Sequence, residues 1–104
     1  MSDIVEQIRR RRAQMLVHSY LYYWLDTPII DDTTWQKWAD ELATLQLFHS
    51  EPVGFYDEVF ADWDGTTGMH LPRDEYVHSK AMQLRRYTYA LEQKRVADIA
   101  EFFE

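Results

Sequence analysis

The chain has 104 residues, 18 acidic and 11 basic, a formal charge of −7 and no cysteine. That length suits one domain. The charge argues against a nucleic-acid backbone as the main partner, because phosphate contacts need clustered cations, and the lack of thiols excludes disulfides and thiolate metal sites. An acidic surface fits ordinary solubility, or docking on a basic protein surface. There is no signal peptide and no run of 18 apolar residues, so the expectation is a cytoplasmic protein with no membrane partner.

Residues 3–25 read as one helix, with Ile4, Ile8, Met15 and Tyr22 near one face and Ser2 or Asp3 as its cap. Arg9 to Arg12 interrupt the apolar stripe. Four consecutive helical positions cover most of the circumference, so some of these arginines must lie at the core edge. They read either as an anion contact or as a solvated face paired with the abundant acids. Pro28 stops this helix at or before Thr27.

A second helix is predicted over 32–48, with Asp31 or Asp32 as cap and a stripe of Trp35, Trp38, Leu42 and Leu45. Trp38 and Leu42 read as core, whereas Trp35 sits in the first turn beside the elbow. Residues 49–72 form a loop-rich connector, with a helical turn or two around Phe55 to Phe60. Within it, Asp62 and Asp64 invite a calcium reading, but the remaining ligands of such a loop are missing. The last helix is predicted over 73–103, opened by Pro72 or Arg73, with Asp74 and Glu75 at its positive end. Some thirty helical residues would reach about 45 Å. That is more than the first two helices can cover. Either it bends near Gln93 or its end, with Phe102 and Phe103, packs on another chain, as in a homodimer. His78 shares a face with Asp74, which suggests a local ion pair or solvent exposure. The fold class is therefore all-α: an antiparallel hairpin (residues 1–48) packed on the long helix (residues 73–104).

The elbow carries most of the chemistry. From His18 to Leu42 the chain reads H-S-Y-L-Y-Y-W-L-D-T-P-I-I-D-D-T-T-W-Q-K-W-A-D-E-L. Aromatic rings and carboxylates meet at the turn, which suits a small, flat, hydroxyl-rich ligand. Over about residues 4 to 48 this stretch resembles the N-terminal helical domain of bacterial NAD-dependent DNA ligases. The matching residues are His18, Tyr20, Tyr22, Tyr23, Asp26, Pro28, Ile30, Asp32, Glu41 and Leu42, in ungapped spacing. That domain grips the nicotinamide mononucleotide half of NAD, so the resemblance implies Tyr22, Tyr23 and Asp32 as ligand contacts. The family's later Tyr-Asp pair is Trp35-Gln36 here, which keeps a stacking surface and loses a charge.

No catalytic group is expected. The ligase nucleophile motif K-x-D-G has its nearest counterpart in Asp62-Trp63-Asp64-Gly65, with a carboxylate where the amine must be. Two functions from different classes follow. One is a phage-type accessory protein that docks on and modulates a host enzyme, a ligase or an NAD-using protein. The other is binding of nicotinamide mononucleotide or NAD through Tyr22, Tyr23, Asp32, Trp35 and Gln36. An orphan structural domain is a third.

Overall fold

The computed structural model describes the backbone of residues 3–102 and the side chains of residues 3–94. It is all-helical, with no strand among the described residues. Helix α1 spans Asp3–Tyr23, α2 Asp32–Phe48, α3 Asp57–Phe60 and α4 Glu75–Phe102. None is long and apolar enough to cross a membrane.

α1 is the central element, packing on both α2 and α4. Met15, Leu16, Val17, His18 and Ser19 are all buried. Five consecutive helical residues point all round the axis, so this part of α1 is enclosed rather than laid on a surface. The single stripe expected from the sequence describes only its first half. Ile8 and Met15 are fully buried, but Tyr22 is 45% exposed. α2 lies antiparallel to α1, as the pairing of Arg11 with Glu41 and of Ser19 with Trp35 shows. Ile8, Met15, Leu16, Ala39 and Leu42 form the main core with Val53, Phe60, Leu71 and Val77. A second cluster joins Val17 and Leu21 to Ala81, with Leu25, Ile29 and Leu84 packed around it.

The helix ends follow local chemistry. α1 stops two residues before the predicted end because Asp26 adopts the left-handed conformation (φ 51°), which Asp tolerates better than most residues. The Leu25 and Thr27 amides then donate to the Tyr20 and Leu21 carbonyls, satisfying the helix end. Asp31 caps α2 by accepting from the Thr34 amide at 2.7 Å. α4 begins at Glu75 rather than 73, because Asp74 accepts from the Val77 amide and so stands as its cap. Asp74 also accepts from the Tyr56 hydroxyl at 2.6 Å. Burial and that carboxylate push the Tyr56 phenol up to about 12. At the other terminus, Asp3 is already helical, and the alternative cap, Ser2, lies outside the described residues.

Three of the arginines find acids or rings. Arg12 is 6% exposed and meets Asp57 at 2.8 Å, the Gln46 side chain at 2.9 Å and the Phe55 carbonyl at 2.8 Å. Arg11 pairs with Glu41 at 2.7 Å, 5.3 Å from the Trp38 ring centroid. Arg73 stacks on Trp24 at 3.6 Å, fastening the start of α4 to the end of α1. Of the two readings of His78, solvent exposure holds rather than a pair with Asp74; its Nδ1 lies 2.7 Å from the Tyr20 hydroxyl.

α4 runs as one unbroken helix through Gln93, where a bend was one of the two alternatives. From Arg85 to Lys94 every side chain except Thr88 is exposed, including Tyr87, Tyr89 and Leu91. The first residues of this stretch, Arg85, Arg86, Thr88 and Tyr89, still border a groove with Thr27, Pro28 and Ile29, in a molecule 57 Å long and 28 Å wide. The Phe102–Phe103 packing expected at its end lies outside the described residues.

Candidate functional site

Three elements and a loop enclose the elbow. The last turns of α1 present His18, Tyr22 and Tyr23, at the i, i+4 and i+5 spacing that keeps side chains on adjoining faces. The turn adds Pro28, Ile30 and Asp31. The first turn of α2 adds Asp32, Trp35 and Gln36, again at i, i+3 and i+4. Thr66, from the connector, closes the side. The result is one cavity of about 190 Å³. All five residues singled out in the sequence line it. Its size is below the roughly 300–1,000 Å³ of pockets that engulf a drug-sized ligand. It accommodates a ring with its substituents, not a dinucleotide.

Tyr22 and Tyr23 stand nearly perpendicular, with ring centroids 4.8 Å apart and planes at 82°. The Tyr23 hydroxyl lies 3.4 Å from the Thr67 hydroxyl. Because Asp31 takes the capping role, Asp32 is exposed in the first turn of α2, where the helix dipole favours its negative charge. Trp35 is both wall and core. It packs against the main cluster, and its indole N–H donates to Ser19 Oγ at 3.1 Å.

Gln36 explains its own departure from the ligase pattern. Its amide donates to the Gly65 carbonyl at 3.1 Å and to Asp40 at 2.9 Å. A carboxylate could not donate to that carbonyl. An acceptor that the resemblance implies for ligand is thus replaced by a tether for the connector.

The tethered loop is pinned tightly. Trp63 donates to the Thr67 carbonyl at 2.8 Å, and Asp64 accepts from the Thr66 amide at 3.0 Å and hydroxyl at 2.7 Å. Asp64 is therefore a turn residue, and among the described residues no three potential metal ligands come together. Gly65 sits at φ 84°, where side chains are strained. Gly68 has no room at all: a Cβ there would collide with Ser19 Oγ, lie 2.7 Å from Ser19 Cβ and 3.2 Å from the Trp35 ring. We expect Gly68→Ala to cost about 1–3 kcal/mol through overpacking. Chemical denaturation checks this; Gly54→Ala, where nothing stands within 4 Å of the new carbon but φ is 75°, should show backbone strain without that clash.

His18 was missed as a site residue, although it heads the matched pattern. It is 8% exposed, packs against Trp38 at 5.5 Å, and its Nδ1 is buried without a hydrogen-bond partner. Burial lowers its pKa from 6.5. The unfolded chain therefore binds this proton more readily than the folded one. Stability is full above about 6.5 and is lost as pH falls through and below that value. Melting temperatures measured from pH 7.5 to 5 should fall in the parent protein and fall less in His18→Gln.

No family model matches this chain, and no solved structure matches it. The likeness to the ligase domain therefore rests on the residues of the elbow themselves.

Proposed function

We propose that this protein is a non-catalytic binding module, a relative of the ligase nucleotide-gripping domain, whose elbow holds the nicotinamide–ribose end of a nicotinamide nucleotide. The observation that carries this reading is the meeting of Tyr22, Tyr23, Asp32, Trp35 and Gln36 around one cavity. Rings supply stacking surface, and Asp32 supplies acceptors for ribose hydroxyls. Calorimetric titration with nicotinamide mononucleotide and NAD at millimolar concentration tests it. Heat of binding is expected, weakened at least tenfold in Tyr22→Ala. Absence of heat from both ligands would reject the reading.

A second reading, docking on a host protein, is favoured by the exposed half of α4. Tyr87 is 64% and Tyr89 66% exposed, beside Arg85 and Arg86. Aromatic residues and arginine are the side chains most enriched where proteins meet. Capture from bacterial lysate by the parent protein, but not by a Tyr87→Ser/Tyr89→Ser variant, would support it.

A further inference from the structure

The charges around the elbow cavity are one-sided. Asp31 and Asp32 line it, and no lysine or arginine does. The cationic groups beside it line separate grooves: Arg10, Arg11 and Lys37 in one along α1 and α2 that shares only Gln36 with this cavity, and Arg85 and Arg86 in one against α4 that shares only Pro28. Arg11 is in any case committed to Glu41. Three aromatic rings complete the walls, an environment that attracts organic cations. At the inner end, His18 is buried and lacks a partner for Nδ1. Burial keeps its ring neutral at physiological pH, so it does not oppose a positive guest.

Resting on the reading of this cavity as a nicotinamide-ribose site, we infer that it selects a planar organic cation bearing hydroxyls and no phosphate: a pyridinium nucleoside in its oxidised form. Loss of the cation on reduction removes the attraction to the rings and to Asp32. A phosphate finds no counter-charge in the cavity and is repelled by the two carboxylates. The cavity's small volume points the same way, since it holds a ring and part of a sugar, not a longer chain.

Titrations with oxidised nicotinamide riboside, its reduced form and nicotinamide mononucleotide separate the outcomes. The oxidised riboside is expected to bind at least tenfold tighter than either of the others. Asp32→Asn should weaken the oxidised riboside about tenfold and the reduced form less, because the two share the ribose contact and only the oxidised form carries the cation. Asp32 is exposed and is not the cap of α2, so a melt of this variant should lie close to the parent protein, lowered only by the small loss of a charge that the helix dipole favours. Equal or tighter binding of the mononucleotide, as when its phosphate reaches past Gln36 to Lys37, would overturn the selectivity and leave the nicotinamide site standing. Equal binding of the oxidised and reduced ribosides would overturn the charge argument. Failure of all three to bind, together with NAD, would overturn the site itself.

Discussion

Replacing Asp57 with alanine is expected to remove about 3 kcal/mol of folding stability, the lower end of what breaking a buried ion pair costs. The lower end applies because the Asp57 side chain is 33% exposed, whereas that of Arg12 is only 7% exposed. Asp57 also accepts from the Val53 and Gly54 amides, both at 2.9 Å. These amides and Arg12 hold its carboxyl below the usual range. A carboxyl depressed in the folded state stabilises above its unfolded value, and that contribution disappears as pH falls through and below 3.8. The alanine variant strands a guanidinium among Phe60, Gln46 and the Phe55 carbonyl. An Arg12→Met/Asp57→Ala double variant removes the stranded charge and should recover part of the loss. Urea melts of four proteins, the parent, Asp57→Ala, Arg12→Met and the double variant, give the coupling directly. A double variant as unstable as the sum of its singles would refute this account.

Trp35→Ala should cost about 3 kcal/mol and abolish ligand binding together. Full burial of an aromatic ring sets the scale at about 3–5 kcal/mol, and Trp35 is only half-buried. Trp35→Phe separates the two roles. It keeps a ring at the cavity wall but deprives Ser19 Oγ, which is 1% exposed, of its indole donor. That change should cost about 1 kcal/mol while retaining most of the affinity. Melting and titration of both variants check the pair. If Trp35→Ala unfolds nothing yet loses the ligand, the ring is wall alone and its packing on the core has been overvalued.

The hairpin was legible because helical spacing and one proline determine it, and the five cavity residues were singled out by the resemblance. Tyr22 and Tyr23 precede the stop, Asp32, Trp35 and Gln36 follow it, and any antiparallel return brings the two sets together. Much else depends on residues far along the chain. Four consecutive arginines look alike in sequence, and Arg12 turns inward because Asp57 and Gln46 arrive there from elsewhere. His18 and Ser19 are polar, and nothing in the helical spacing marks them as enclosed, yet both are buried. The tether from Gln36 depends on where the Gly65 carbonyl comes to rest, 29 residues later. Gly68 read as a turn residue, and its actual constraint is contact with Ser19 and Trp35.

The enclosure of α1 bears on how the chain could be dissected. Val17 and Leu21 are covered by Ala81, and Ile8, Met15 and Leu16 share their cluster with Phe60, Leu71 and Val77. A peptide cut after Phe48 would bare these side chains to water and forfeit the Asp57 counter-ion of Arg12. The first hairpin is thus not a portable cassette: expressed alone, it should self-associate or stay molten, and adding residues 49–94 in trans should rescue it.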